Sequence, residues 1–365
     1  MAKKILLILH YPPPVHGASM VGNYIKQSDK INSFFNTKYI NLGTTKSIKN
    51  TKKITGNKLI HFFRLIVTCT TTNFVFKPDL IYLTLSSNGI GFYKDAILVF
   101  LLKLRRVKLI YHLHNKGVKE RQHRTVDNWL YKWVFKRGEV ILLSKKLYPD
   151  IESYVAENRV NYCPNGIPET NFESDPKEKN QPTEILFLSN LIKSKGVIEL
   201  LEACKTLEDN GVDFRCTLVG SEGDISNHEV NETIKSYGLL KKVEYVGKKY
   251  GKEKHQFFNK ADIFVFPTYY PNECFPLVLL EALQYSLPVV TTNEGAIEEI
   301  IDHNQNGFIV EKKNVLDLAE RLEFLTQNPE VRASFGQNGL LKYRKCYTIE
   351  VFEDKLLSIL RAQFN

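Results

Sequence analysis

Two glutamates separated by seven residues enclose an apolar segment, Glu273–Glu281, which reads ECFPLVLLE. The run Ile263–Phe266 predicts a buried strand before it, and the segment predicts a helix with Pro276 at its first position, where the missing N–H costs nothing. Unpaired donors at a helix N-terminus and the helix dipole together attract anions such as phosphate. We expect these donors to be the backbone N–H groups of Phe275, Leu277 and Val278.

The two carboxylates at this helix start have different expected roles. Glu281 lies about one turn inside the helix, where a carboxylate can accept two hydrogen bonds from a ribose diol. Glu273 lies in the loop before the helix, at the mouth of the site. The alternative is an ordinary helix with solvated glutamates.

A second strand–loop–helix segment carries basic residues. It reads FLSNLIKSKG over residues 187–196, and Val197 opens the next helical segment. Lys193 or Lys195 can bring an ammonium group to a phosphate there. Either lysine can equally be an ordinary surface residue, so this segment alone does not indicate a phosphate site.

Two histidines lie at the end of the strand candidate Val107–His112. Alternation along an extended chain places His112 and His114 on the same face. No third ligand for a metal is evident, so we expect one histidine to reach a ligand site and no metal to bind. Core or surface histidines are the alternative.

The loop after the first predicted strand, Pro12–Ser19, has the position of a nucleotide-binding loop and contains His16 and Gly17. It lacks the G-x-G-x-x-G pattern. Gly89-Ile90-Gly91 begins that pattern, but Lys94 stands where the third glycine belongs, which argues against a dinucleotide site. Neither the P-loop pattern nor G-x-S-x-G occurs in the chain.

Short apolar runs alternate with longer amphipathic stretches along the chain, which predicts βαβ units, parallel sheets and ligands at the carboxyl ends of the strands. In the first half we predict strands at Ile5–Leu9, Lys38–Asn41, Leu80–Leu83, Val107–His112, Val140–Leu143 and Val160–Tyr162, and helices at Asn57–Val75, Phe92–Leu104, Val126–Lys136 and Leu147–Ala156. In the second half we predict strands at Ile185–Leu188, Arg215–Val219, Val243–Val246, Ile263–Phe266, Val289–Thr291 and Phe308–Val310, and helices at Val197–Asp209, Leu277–Tyr285 and Val315–Thr326.

These elements predict an α/β protein with two Rossmann-like domains, residues 1–168 and 184–345. A chain of 365 residues fits two domains of roughly 100–200 residues each. Residues 169–183 are polar and contain two prolines, which is typical of a linker. Residues 346–365 predict a C-terminal helix, which we expect to cross back to the first domain.

Charge is divided unequally along the chain. Residues 1–165 hold 27 basic and 9 acidic residues, residues 166–365 hold 23 basic and 31 acidic residues, and the net charge is +10. The basic half suits nucleic acid, anionic lipid or an anionic substrate, or is a solvated lysine-rich surface.

Other features of the composition narrow the class of protein. Hydrophobic residues make up 43% of the chain, as in ordinary globular proteins. The six cysteines form no C-x-x-C pair, which indicates free thiols in a reducing compartment. No run of 18 apolar residues occurs, so we expect no transmembrane helix, and the N-terminus predicts a buried strand rather than a signal peptide.

Several segments together resemble the retaining glycosyltransferases of family 4, also called group 1. These have the GT-B fold, in which two Rossmann-like doubly wound parallel-sheet domains face a central cleft. The resemblance covers nearly the whole chain. The segments that carry it are ADIFVFPT at 261–268, Glu273 and Glu281 as an E-x7-E pair, LPVV at 287–290, GAIEEII at 295–301, NGF at 306–308, and NGI at 165–167 in the position of the interdomain hinge.

The resemblance implies an enzyme that moves a hexose-type sugar from a nucleoside-diphosphate sugar, most often a UDP-sugar, with retention of the anomeric configuration. The acceptor would be a saccharide or a lipid-linked saccharide in surface polysaccharide or glycolipid synthesis. No cofactor and no metal are implied, and the chain has no D-x-D motif. The expected location is the cytoplasm, at the inner face of the membrane.

The resemblance also implies residue roles. Glu281 would bind the ribose, and Lys195 and the N–H groups around Leu277 would hold the diphosphate. His114 and Glu273 would be the catalytic residues, since the family places both beside the donor sugar. The remaining expected site residues are Phe275, Val278, Asn190 and Gly17 on the donor nucleotide, and His16, Asn115 and Cys274 on the donor-sugar or acceptor side.

The chain departs from the family pattern at three places. Asn190 stands where members usually have Arg, so Lys195, with or without Lys193, would carry more of the charge on the diphosphate. Asn115 stands for the Asp that usually follows the histidine. Cys274-Phe275-Pro276 replaces Gly-Phe-Gly, which removes one N–H donor.

Two other classes of function compete with a sugar transferase. A GT-B relative with other chemistry, such as a sugar-nucleotide epimerase or a phosphorylase, would share the same site. Binding of nucleic acid is suggested by the basic half alone, and the acidic second half argues against it. An anionic membrane surface is a further expected partner, through basic and aromatic groups in Lys46–Arg64 and Lys103–Lys119.

Overall fold

The computed structural model describes residues 2–43, 56–170 and 182–364. The chain divides into two compact units, one formed by residues 1–167 with 349–365 and the other by residues 168–348. Each unit is built on a six-stranded sheet whose paired strands run parallel. The predicted α/β fold class is confirmed.

The first sheet has the strand order β2-β1-β3-β4-β5-β6. Its strands are β1 Lys4–Leu9, β2 Asn36–Asn41, β3 Leu80–Leu85, β4 Lys108–Leu113, β5 Glu139–Leu142 and β6 Val160–Tyr162. Every residue of β3 is buried, as expected for a central parallel strand that is covered on both faces. The helices of this unit before the linker are α1 Gly17–Gln27, α2 Asp29–Phe34, α3 Gly56–Phe76, α4 Gly89–Lys103, α5 Val118–Arg121 and α6 Thr125–Phe135.

The second sheet has the strand order β12-β11-β10-β7-β8-β9. Its strands are β7 Thr183–Leu188, β8 Phe214–Val219, β9 Val243–Tyr245, β10 Ile263–Phe266, β11 Val289–Thr292 and β12 Gly307–Val310. The helices of this unit are α7 Val197–Asp209, α8 Asn227–Ser236, α9 Gly251–Lys260, α10 Leu277–Gln284, α11 Ile297–Ile300, α12 Val315–Gln327 and α13 Pro329–Cys346.

The last helix, α14 Ile349–Ala362, belongs to the first unit. The Asp354 carboxylate pairs with the Lys30 ammonium at 2.5 Å, and the Lys108 ammonium donates to the Gln363 carbonyl at 3.1 Å. Residues 346–348 precede this helix, because α13 continues to Cys346. Most of the predicted linker, residues 171–181, lies outside the described residues.

One predicted helix is wrong. Residues 147–156 do not form an α-helix, because the chain makes a 3-10 helix over Lys145–Asp150 and then turns. Pro149 cannot donate the hydrogen bond that an α-helix requires at that place. The Asp150 carboxylate instead accepts from the backbone N–H groups of Gly117, Val118 and Lys119 at 3.0–3.2 Å.

Helix α3 contains a segment with the length and composition of a membrane-spanning helix. The sequence contains no unbroken run of 18 apolar residues, but the window Leu59–Phe76 is long and apolar enough, by length and composition alone, to cross a bilayer. Only 22% of this window is buried.

Candidate functional site

The strand order of the second sheet changes direction between β7 and β10: β8 and β9 lie on one side of this pair, and β11 and β12 lie on the other. These two strands are neighbours, with Ile263 paired to Ile185, although α7, β8, β9 and two further helices separate them in sequence. Ligands of open parallel sheets bind at the carboxyl ends of such a pair, where the two following loops diverge. The loops after β7 and β10 contain the predicted residues Lys195 and Glu273.

The lysine loop is fixed against the end of β10. Gly196 follows it with φ of +84°, and a Cβ on this residue would lie 2.2 Å from the Pro267 carbonyl oxygen. The Tyr269 N–H donates to the Ser194 carbonyl at 2.8 Å. Only glycine allows this close approach of the two loops, and the approach sets the position of Lys195.

Lys195 and Glu273 are in direct contact. The ammonium forms a close ion pair with the Glu273 carboxylate, and both side chains are mostly buried. The Lys195 ammonium also lies 4.5 Å from the centre of the Tyr270 ring, a cation–π distance. The structure thus places the Lys195 ammonium and the Glu273 carboxylate together at the carboxyl end of the second sheet.

Helix α10 begins beside this ion pair. Pro276 is its N-cap and Leu277 its first residue, so Pro276 lies one position earlier than predicted. The Leu279 N–H donates to the Pro276 carbonyl at 3.2 Å. In the described part of the chain, no partner is found for three further backbone donors, the N–H groups of Phe275, Leu277 and Val278. This arrangement can hold an anion.

Glu281 lies one turn along α10 and has a partner that the sequence analysis missed. The Lys254 ammonium of α9 forms a close ion pair with the Glu281 carboxylate, and both side chains are mostly buried. The next residue, His255, makes a 2.8 Å hydrogen bond with the Tyr285 hydroxyl. Burial is the largest cause that lowers the pKa of His255, and the Lys254 charge lowers it further.

Two other predicted donor residues face different partners. The Asn190 side-chain oxygen accepts from the Ser221 hydroxyl at 2.7 Å, so this amide braces the loop after β8. Cys274 is buried, and its carbonyl accepts from the Ala296 N–H at 2.8 Å. Gly295, with φ of +61°, lies against this stretch, and a Cβ there would be 2.4 Å from the Glu273 carbonyl oxygen.

The first sheet reverses its growth between β1 and β3, and histidines collect at its carboxyl end. His16 is the N-cap of α1: its Nδ1 accepts from the Ser19 N–H at 3.3 Å, while the Ser19 hydroxyl accepts from the His16 N–H at 2.9 Å. Gly17 follows at the first helical position, in open space. His10 directly follows β1, and its ring centre lies 5.8 Å from that of His16.

His112 and His114 do lie on one side, with ring centres 4.1 Å apart. His112 is fully buried, and its Nδ1 is 2.5 Å from the Tyr82 hydroxyl oxygen, so it is a core residue. His114 follows β4 and is partly exposed. The Asn115 side-chain oxygen accepts from the Ser87 N–H at 3.1 Å, which ties the ends of β4 and β3 together.

The histidines of this group are neutral at physiological pH. Burial, and secondly the neighbouring His16, lower the pKa of His114 to about 3. Burial and then the Lys94 charge lower the pKa of His10 to about 3 as well. A neutral imidazole can accept or donate one hydrogen bond but offers no charge. Among the described residues, no group of three His, Cys, Asp or Glu side chains is placed to hold a metal ion.

His10 and Lys254 are the residues that the sequence analysis missed. His10 directly follows the predicted strand Ile5–Leu9, and the rule that ligands bind at strand ends could have singled it out. Lys254 lies inside a helix of mixed polar sequence, and no local signal connects it with Glu281.

Most of the second unit matches a known protein family. The sequence profile of the family Glycosyl transferases group 1 matches residues 169–342. The Staphylococcus aureus capsular polysaccharide biosynthesis glycosyltransferase CapM is 27% identical over 241 residues, 62% of this chain and 62% of that protein. The Erwinia amylovora amylovoran biosynthesis glycosyltransferase AmsK is 28% identical over 233 residues, 62% of this chain and 57% of that protein. The matches thus span about three-fifths of these curated relatives.

The fold of the whole chain is also known from solved structures. The Anabaena protein HepE, in a crystal structure with UDP-glucose, superposes with a TM-score of 0.76 at 18% sequence identity and covers 98% of this chain and 99% of its own. At this identity the likeness shows the fold. Residues 169–342 therefore resemble the family Glycosyl transferases group 1, and the chain has the GT-B fold.

Proposed function

We propose that the protein transfers a hexose-type sugar from a nucleoside-diphosphate sugar, with UDP as the leading nucleotide, to a growing saccharide or lipid-linked saccharide. The observation that carries this proposal is the start of α10. Three backbone N–H groups there have no partner among the described residues, Lys195 pairs with Glu273 in the loop before the helix, and Glu281 follows one turn into it. We assign the N–H groups and Lys195 to a diphosphate and Glu281 to a ribose.

The donor nucleotide binds along α10 in this proposal. The N–H groups of Phe275, Leu277 and Val278 hold the diphosphate together with the Lys195 ammonium, which offers three donors. Glu281 accepts hydrogen bonds from the ribose hydroxyls, and its ion pair with Lys254 holds the carboxylate in place. Binding of UDP-glucose by HepE, which has the same fold, supports a UDP-sugar as donor.

Transfer breaks the bond between the anomeric carbon and the diphosphate oxygen, and the electron pair leaves with the nucleoside diphosphate. The acceptor hydroxyl oxygen forms the new bond, and its proton passes to the departing diphosphate. The dipole of α10, the N–H groups at its start and the Lys195 ammonium together offset the negative charge that develops on the leaving group. We infer that Glu273 stabilises the positive charge on the donor sugar and that the configuration is retained.

Four residues of the first unit are given roles in this proposal by the family resemblance alone. We assign His114 and Asn115 to the sugar, Gly17 to the diphosphate and His16 to the sugar or acceptor. The low pKa of His114 means that it acts as a neutral donor or acceptor. The names of CapM and AmsK, which assign them to capsular polysaccharide and amylovoran synthesis, support a surface polysaccharide as product.

Thermal denaturation with UDP, GDP, ADP, CMP and NAD tests the donor site. A ligand at 100 times its dissociation constant stabilises the folded state by about 2.7 kcal/mol. We expect UDP to raise the melting temperature. Glu281→Gln should weaken UDP binding by about 10- to 150-fold, since a hydrogen bond to a charged group contributes about 1.5–3 kcal/mol.

Glu320→Gln is the matched control, because Glu320 is an exposed glutamate on α12 of the same unit. It should bind UDP like the wild type. Unchanged UDP affinity in Glu281→Gln would refute the ribose assignment. Release of free UDP together with a glycosylated acceptor separates transfer from epimerisation, which converts one nucleotide sugar into another and releases no UDP.

A further inference from the structure

Helix α3 carries apolar residues on two opposite sides. Its inward stripe is buried in the first unit and consists of the apolar residues Leu65, Cys69 and Phe76 together with Asn73, whose amide donates to the Leu102 carbonyl at 3.3 Å. Its outward stripe is exposed: Ile60, Phe63, Val67 and Phe74. A surface helix of a globular protein normally carries polar residues on its outer side. Packing within the first unit therefore explains only one side of α3.

The exposed apolar stripe continues onto two neighbouring helices. Helix α4 packs against α3 and against α6. The Phe100 ring centre of α4 lies 5.7 Å from that of Trp133 on α6, and the Arg105 guanidinium lies 5.9 Å from the Phe74 ring of α3. We call this surface the apolar helix surface. Its exposed members are Ile60, Phe63, Val67, Phe74, Ile97, Phe100, Leu104, Val126 and Trp129.

The charged residues that α3, α4 and α6 leave unburied are basic. Asp95 and Asp127 are the only acidic residues within these helices, and both are fully buried. The basic residues within the helices are Lys58, Arg64, Lys94, Lys103 and Lys132. Within three positions after the helices follow the basic residues Lys77, Arg105, Arg106, Lys136 and Arg137 and one acidic residue, Asp79. An apolar surface with basic residues and no exposed acid within its helices is complementary to a bilayer that contains anionic lipid.

We propose that the apolar helix surface docks on an anionic lipid bilayer, with α3 lying in the plane of the membrane interface. The outward aromatic residues, Phe63, Phe100 and Trp129, enter the boundary between headgroups and acyl chains. Helix α3 lies on the bilayer and does not cross it, because its inward stripe is packed in the first unit. This docking does not depend on the proposed transfer reaction.

A second copy of the chain fits this surface less well. Association of two copies through the same surface would bring the two sets of basic residues together. Like charges repel, and no exposed acid on α3, α4 or α6 could compensate them. The observations therefore favour lipid as the occupant.

Intrinsic fluorescence of the full chain tests the proposal without any substitution. The chain has two tryptophans, Trp129 and Trp133, and both lie on α6 at this surface. We expect their emission to shift to the blue with vesicles of phosphatidylcholine and phosphatidylglycerol. We also expect quenching by lipids that carry bromine on their acyl chains. Vesicles of phosphatidylcholine alone should bind less, and added salt should weaken binding.

Variants then locate the contact. Phe63→Glu combined with Phe100→Glu should reduce vesicle binding about tenfold or more, because two exposed apolar groups no longer enter the interface. Leu316→Glu is the matched control, since Leu316 is equally exposed at 68% but lies on α12 of the second unit, and it should bind like the wild type. Phe63 is 67% exposed, so folding, measured by circular dichroism, should be retained.

Two results would overturn the proposal. One is unchanged tryptophan emission in the wild-type chain with anionic vesicles. The other is sedimentation of the wild type as a dimer that Phe63→Glu dissociates, without binding to vesicles, because the occupant would then be a second copy. Failure of UDP binding in the experiment above would leave both readouts unaffected.

Discussion

Replacement of Gly295 by alanine should displace the backbone of the loop that carries Glu273 without touching any proposed ligand-binding side chain. Gly295 has φ of +61°, and a Cβ there would lie 2.4 Å from the Glu273 carbonyl oxygen and 2.8 Å from that of Cys274. A carbon–oxygen contact normally needs about 3.3 Å, so the Glu273 carbonyl must move by about 0.9 Å. The backbone that carries Glu273 and leads into α10 would move with it.

The size of the effect has two parts. A non-glycine residue in the left-handed region costs about 1–2 kcal/mol. The forced movement adds about 1–3 kcal/mol of overpacking. Gly211→Ala isolates the first part, because Gly211 has φ of +72° and nothing within 4 Å of its Cβ position. We therefore expect Gly295→Ala to lose about 1–3 kcal/mol more stability than Gly211→Ala.

Urea denaturation measures the two free energies of unfolding, and turnover of the donor sugar measures the functional effect. A displacement of about 1 Å at reacting groups costs roughly 100-fold in rate, so kcat should fall by about that factor in Gly295→Ala. Gly211→Ala should retain the wild-type kcat. Equal stability and equal kcat in the two variants would refute the reasoning that Gly295 positions Glu273.

Two further predictions concern the ion pair of Glu281 and the neutral histidines of the first unit. Lys254→Met should raise the donor KM about tenfold and change kcat little, because Glu281 loses the partner that orients it. Lys254→Arg should keep a donor KM near that of the wild type. A loss of kcat with unchanged KM in Lys254→Met would contradict this role. Stability should fall as the pH falls from 6.5 towards 3, because the unfolded chain binds protons at His10 and His114 below pH 6.5 and the folded chain, with both pKa values lowered to about 3, does not. The slope is at most about 1.4 kcal/mol per pH unit for each histidine, because each ring binds one proton. Equal urea midpoints at pH 7 and pH 5 would contradict this prediction.

The strands were the most predictable part of the fold. Runs such as Ile5–Leu9 and Leu80–Leu83 are apolar because both faces of a central parallel strand are covered, and their composition alone shows this. Helix α9 was not predicted, because its sequence GKEKHQFFNK contains one fully buried residue, Phe258. A helix that contributes so little to the core leaves little periodicity in the sequence.

The candidate site was predictable where its chemistry is local. The segment from Glu273 to Glu281 forms a loop and a helix start from consecutive residues, so the sequence showed both. The ion pair between Lys254 and Glu281 joins residues 27 positions apart on two helices, and only the fold brings them together. The need for glycine at position 22 also depends on the fold. A Cβ added there would lie 1.8 Å from the His10 carbonyl oxygen, a contact that local sequence does not reveal.

The return of α14 to the first unit has a consequence for biosynthesis. The polypeptide makes the first 167 residues of that unit, then the entire second unit, and only then the helix Ile349–Ala362 that packs with α2. The second unit is one continuous stretch and can fold as it leaves the ribosome, because domains fold as units during synthesis. The unit that begins first is thus completed last, and the apolar face that α14 covers stays uncovered in the nascent chain until translation has passed Ala362.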